Sequence, residues 1–164
     1  MPMSIIALGA NLPGRYASPA EAVEAGLRAI ASGAVRLKAR SRLYRSAAWP
    51  DPADPEFVNA VAVYETDMGP AALLDYLHAI EAAFGRTRRE ANAPRPLDLD
   101  IIDYDGMVSA PGERPDLPHP RLGERAFVLL PLADVSPVWR HPVSGLGVAE
   151  LIATLPETSV ATPL

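Results

Sequence analysis

The chain has 164 residues, enough for one domain with its own core. Its 49% apolar and 21% charged residues are those of an ordinary globular protein, and a net charge of −5 argues against a general nucleic-acid binder. Cysteine is absent, which excludes a disulfide framework and thiolate chemistry. No apolar run approaches the roughly 20 residues of a membrane helix, and the opening MPMSIIALGANL lacks a basic n-region, so a cytoplasmic protein with no membrane partner is expected.

The first element is the short apolar run Met3–Gly9, read as a buried strand. Ser18, Pro19 and Glu21 then form a capping box with proline at the first helical position, and Val23, Leu27 and Ile30 follow at helical spacing. In VRLKARSRLYR the residues alternate, with Val35, Leu37, Ala39, Ser41 and Leu43 on one face and basic residues on the other, which predicts one half-exposed strand. AAWPDPADPE, with three prolines in ten residues, is a loop. FVNAVAVYET reads as a third strand. A second helix begins at Pro70, buries Leu73, Leu77, Ile80 and Phe84, and ends at Gly85. LDLDIIDYDG is a fourth strand. The order β-α-β-β-α-β predicts an α+β, ferredoxin-like core over about 3–105, an antiparallel sheet with helices on one face. A proline-rich segment and two further helices, in ERAFVLLPLADV and GVAELIATL, make a C-terminal extension over about 106–164. The whole of 1–164 reads as a single domain.

The chemistry concentrates around PRPLDLDIID. Side chains at i and i+2 of a strand share a face, so Asp98 and Asp100 stand side by side while Leu97, Leu99 and Ile101 point away. Two carboxylates so placed repel unless solvent or a cation accepts them. Just upstream, GRTRREANAPR sets Arg86, Arg88, Arg89 and Arg95 against one glutamate. Arginines beside a carboxylate pair are what a polyphosphate with Mg²⁺ needs, although a solvated helix end would also collect arginines. LPHPRLGERAF adds His119, Arg121 and Arg125, with His119 read as a further basic group in a stiff turn. Phe57 and Asn59 share a strand face and could stack on and hydrogen-bond a flat heterocycle, or serve only as core-edge residues. No phosphate-binding P-loop and no G-x-G-x-x-G is present.

The strings ALGANL, YRS, FVNAV, IEAAFGRTRR, PRPLDLDIIDYDG and PHPRLGERAFVLLPLADVSP resemble the 6-hydroxymethyl-7,8-dihydropterin pyrophosphokinase family, from about Ile5 to Leu155. The resemblance implies a monomer with a ferredoxin-like core. It implies transfer of the terminal diphosphate of ATP to the hydroxymethyl oxygen of a dihydropterin, in folate synthesis. It implies that Asp98 and Asp100 hold two Mg²⁺ ions, that Arg86, Arg88, Arg95, His119 and Arg125 hold phosphates, and that Glu81 borders the nucleotide. Arg86, Arg95, Asp98 and Asp100 are the implied catalytic set. Phe57 and Phe127 are implied to sandwich the pterin, with Asn59 and the loop from Ser46 reading its polar edge. The loops Ala47–Pro55 and Arg86–Pro94 correspond to mobile loops in the family. The chain departs from the pattern in carrying Asn92-Ala93 where many members have Trp-Gly, Pro96 where Thr is commoner, and Pro120 after His119.

Three rivals compete. A D-x-D nucleotide-sugar transferase using Mn²⁺ accounts for the aspartates but not for Phe57 and Asn59. A ferredoxin-like RNA binder would use the basic strand Arg36–Arg42, against the net acidity and few aromatics of the chain. An inactive relative would not need Asp98, Asp100 and Arg95 together.

Overall fold

The fold was described from a computed structural model, which describes residues 1–12, 14–47, 53, 55–85 and 96–164. Strands are β1 (Met3–Ala10), β2 (Val35–Arg40), β3 (Tyr44–Ser46), β4 (Phe57–Thr66), β5 (Asp98–Tyr104) and β6 (Thr162–Pro163). Helices are α1 (Pro19–Ile30), α2 (Pro70–Ala83), α3 (Ala126–Val135) and α4 (Val148–Ala153), with a 3-10 turn at Leu122–Glu124.

The sheet is antiparallel throughout, in the order β5-β1-β4-β3-β6, with β2 also paired to β4. Alternation along the strands divides the core in two. Ile6, Leu8, Ala60, Ala62, Leu99 and Ile101 pack against α1 and α2. Ile5, Val61 and Ile102 point the opposite way and are covered by α3 and α4 through Val128, Leu129, Leu132, Val148 and Leu151. Helices therefore lie on both faces: the expected pair, α1 and α2, on one, and α3 and α4 on the other. The reason lies in α3, whose AFVLLPLADV is apolar nearly all round and must be buried on more than one side.

Local chemistry explains the elements. Ser18 caps α1 by accepting from the Glu21 amide, while Glu21 reaches back to the Ala17 amide. Gly26 lets α1 lie close to the sheet, since a Cβ there would sit 3.0 Å from the Leu97 side chain, just before the aspartates.

The single alternating strand expected over Val35–Arg45 is corrected. It breaks at residues 41–43 into β2 and β3, with a register shift between Leu37 and Ala39, and Leu37 is left 38% exposed. Ser41 causes much of this. Its backbone pairs with the Val61 carbonyl while its hydroxyl accepts from the Val61 amide, so a side chain replaces a rung of the ladder. Arg42 then turns out to Asp134 on α3, and Tyr44 resumes the edge with its ring buried.

Candidate active site

On the face covered by α3 and α4, β1, β4 and β5 change character along their length. Register places Gly9 opposite both Asp98 and Asn59, and Ala7 opposite both Asp100 and Val61. Two of the smallest side chains on β1 thus form a floor between the aspartates and the β4 residues. A Cβ on Gly9 would lie 3.2 Å from Asn59 Oδ1 and 3.6 Å from the Phe57 ring, so it would crowd Asn59 while meeting the ring at ordinary contact distance. This places Phe57 and Asn59 on the same side as Asp98 and Asp100.

A cavity of about 400 Å³ opens over this floor, within the range of small-molecule sites. Ser46, Phe57, Asn59, Asp98, Asp100, Arg125 and Phe127 all line it. Asn59 is buried and its amide donates to Ser46 Oγ at 2.8 Å, which fixes the orientation of the amide. Phe127 stands on the first turn of α3, and the Arg125 guanidinium lies over its ring, 5.4 Å from the centroid. Burial lowers the Arg125 pKa and the charge of Asp100 works against that; the group remains a cation.

A second cavity of about 330 Å³ lies round the outer edge of β5, between α2 and the segment 114–120. Glu81 and His119 line it, with His78, Ile101 and Arg114. Glu81 is 2% exposed and accepts the Leu99 amide at 2.8 Å, so the α2 carboxylate satisfies a donor on the open strand edge. Asp98 and Asp100 line this cavity as well as the first. The carboxylate pair therefore stands at the junction of two cavities of different chemistry, one walled by aromatic rings and an amide, the other by polar groups at a strand edge.

His119 is not the basic group expected. Burial, followed by the neighbouring Arg125 charge, lowers its pKa to about 4, so the ring is neutral at neutral pH. Its Nδ1 accepts from the Arg121 amide at 3.1 Å, leaving Nε2 to carry the proton as a neutral donor.

Arg86, Arg88 and Arg95, with the Asn92-Ala93 departure, lie outside the described residues, as does most of the Ala47–Pro55 loop. Several lining residues were not singled out from the sequence. Gly9 carries a signal in the sequence only as the end of the Met3–Gly9 run and within ALGANL. His78 stands mid-helix with no motif around it, and Thr158, Ser159 and Val160 come from a stretch with no motif.

The chemistry of the donor set suits a hard divalent cation. Two carboxylates on one face, both partly exposed, supply the one or two protein oxygens Mg²⁺ commonly takes and leave positions for phosphate and water. No helix of the described residues is long and apolar enough to cross a membrane.

Comparison with known proteins shows the family. The family model described as 7,8-dihydro-6-hydroxymethylpterin-pyrophosphokinase (HPPK) matches residues 5–137. A 2-amino-4-hydroxy-6-hydroxymethyldihydropteridine pyrophosphokinase of Pseudomonas aeruginosa is 42% identical over 153 residues, covering 92% of this chain and 90% of that protein. One of the same name from Methylorubrum extorquens is 36% identical over 160 residues, covering 98% of each. Among solved structures, wild-type HPPK-DHPS of Plasmodium falciparum superposes with a TM-score of 0.71 over 93% of this chain at 13% identity; this chain spans 43% of that longer protein, and the likeness concerns the fold. A carboxylate pair shared by two cavities, and relatives matched along nearly their whole length, place the chain in the 7,8-dihydro-6-hydroxymethylpterin-pyrophosphokinase family.

Proposed function

We propose the following division of labour for the family's reaction in this chain, the transfer of diphosphate from ATP to 6-hydroxymethyl-7,8-dihydropterin in folate synthesis. The observation that carries it is the position of Asp98 and Asp100 on both cavities. A pyrophosphokinase must hold a nucleotide and an alcohol apart and bring a phosphate chain across the gap. In this reading the dihydropterin takes the cavity over Gly9, between Phe57 and Phe127, with Asn59 and Ser46 reading its polar edge. ATP takes the β5 edge, bordered by Glu81. The triphosphate crosses at the aspartates.

Asp98 and Asp100 would hold two Mg²⁺ ions, which when bound supply Lewis-acid neutralisation of the phosphate oxygens. Arg125 reaches the same place as a fixed cation, joined in this reading by Arg86, Arg88 and Arg95. Neutral His119 contributes a hydrogen bond rather than a charge. The pterin hydroxymethyl oxygen attacks the β-phosphorus in line. The bond from that phosphorus to the α,β-bridging oxygen breaks, AMP leaves with the oxygen, and the hydroxyl proton passes to solvent. The work of the chain is positioning and electrostatic stabilisation, which dominate phosphoryl-type transfers. The same reading takes residues 3–105, with antiparallel neighbours β5-β1-β4-β2, as a ferredoxin-like core. It takes 106–164 as its extension within one domain, and the chain as a cytoplasmic monomer.

Calorimetry tests the assignment. Dihydropterin should bind, and bind more tightly with Mg²⁺ and a non-hydrolysable ATP analogue present. A titration flat under both conditions would remove the pterin from the cavity.

A further inference from the structure

The segment 156–164 lies beyond residues 5–137, which the family model matches, and forms one wall of the first cavity through Thr158, Ser159 and Val160. It is anchored on two sides. On one, Thr162 and Pro163 pair with Arg45 and Tyr44 of β3, and the Leu164 amide donates to the Leu43 carbonyl. On the other, Ala161 is 6% exposed in a small cluster with Tyr44 and Ala126, against which Phe127, Leu130 and Leu155 pack. The segment thus joins β3, which carries Ser46, to the start of α3, which carries Phe127.

The start of α3 needs such help. Its N-cap residue is Arg125, whose side chain has no acceptor to offer the free amides of the first turn, and no side-chain cap is formed there. Ser159 supplies an acceptor from 33 residues away: the Ala126 amide, at the first position of the helix, donates to its hydroxyl at 3.3 Å. Ala126 lies between Arg125 and Phe127, whose side chains stack on one another at the cavity. Val160 is 59% exposed beside them, an apolar side chain for a flat ring to cover.

We propose that the segment 158–161 is a working wall of the pterin half of the site, in which Ser159 is a positioning residue that fixes Arg125 and Phe127 by capping α3, and Val160 is a contact for the heterocycle. This rests on the assignment of that cavity to the dihydropterin.

The test is titration of wild type, Ser159→Ala, Ser159→Thr and Val160→Asp with dihydropterin and, separately, with Mg²⁺ and an ATP analogue. Thermal melts identify any variant that fails to fold. Loss of one cap hydrogen bond of about 1 kcal/mol corresponds to about a fivefold weakening. Val160→Asp should therefore weaken pterin binding about five- to tenfold and leave nucleotide affinity within about twofold, while Ser159→Ala should weaken pterin binding as much and nucleotide binding less, through Arg125. Ser159→Thr, which keeps the hydroxyl, should restore pterin affinity. Equal weakening of both ligands, or folded variants that bind dihydropterin like wild type, overturns the proposal. Wild-type protein that binds no dihydropterin overturns the cavity assignment first, and this proposal with it.

Discussion

The face of the sheet under α3 and α4 has two ends built on the same three strands. At one end β1, β4 and β5 present Ile5, Val61 and Ile102, sealed beneath Leu129, Leu132 and Val148. At the other, a few residues along, they present Gly9, Asn59 and Asp98, open to a cavity. The β1–β4 ladder runs unbroken between them and the β1–β5 ladder shifts register once, between Ile5 and Ile6, so side-chain choice does most to separate a dry core from a site. The difference teaches that the sealed end holds the ladder rigid while the open end tolerates repelling charges and an unfilled floor.

Four experiments should separate the two ends or merge them. Asp98→Ala should have the largest effect: kcat falling about 1000-fold or more, as expected when several kcal/mol of charge stabilisation are lost, with Tm nearly unchanged because one of two like charges is removed. Steady-state kinetics and a melt read both, and marked unfolding would show the aspartates to be structural. Leu129→Ala acts on the sealed end. The side chain is fully buried, so about 2–5 kcal/mol of stability should be lost, read by urea denaturation, with the KM for dihydropterin unchanged.

Third in size is a pH effect at the open end. The pKa of His119 in the fold, about 4, lies below its ordinary 6.5, so folding favours the neutral ring. Its contribution is present above pH 6.5 and is lost as pH falls towards 4, by up to about 3 kcal/mol. A His119→Asn variant keeps an acceptor for the Arg121 amide at this position but has no group that titrates there. The wild type should therefore lose more stability than His119→Asn between about pH 7 and 4.5, and parallel denaturation curves would refute the buried neutral ring. The smallest effect belongs to Gly9→Ala. The added methyl crowds Asn59 Oδ1 at 3.2 Å, and should raise the KM for dihydropterin about tenfold, for about 1–2 kcal/mol of overpacking, while the KM for ATP stays put. An unchanged pterin KM would mean that the floor is not where the ring lies.

Much of this comparison was legible in the sequence. The Ser18–Glu21 cap, the strands at Met3 and Phe57, and the shared face of Asp98 and Asp100 all follow from spacing that the structure keeps. Other features depended on contacts that no local pattern carries. The break after Arg40 depends on the Ser41 hydroxyl meeting the Val61 amide, which looks like alternation until the partner strand is known. The neutrality of His119 comes from burial beside Arg125, when its flanking sequence suggested a basic turn. The second cavity collects His78, Arg114 and Pro120 from separate parts of the chain. The segment 158–161 has neither helical nor strand periodicity over enough residues to register, and β6 is two residues long.

The position of β5 at the margin of the sheet has one more consequence. An unpaired strand border invites another chain to add to it and begin aggregation. Here the site itself is the deterrent: the Glu81 carboxylate occupies the Leu99 amide, the His119 amide occupies the Ile102 carbonyl, and the aspartates make the border a poor template for an incoming strand. The opposite border is blunted in another way, by a two-residue strand that contains Pro163. Replacing the acids to silence catalysis would therefore also remove a guard against self-association, and silenced variants should be checked for solubility at high concentration.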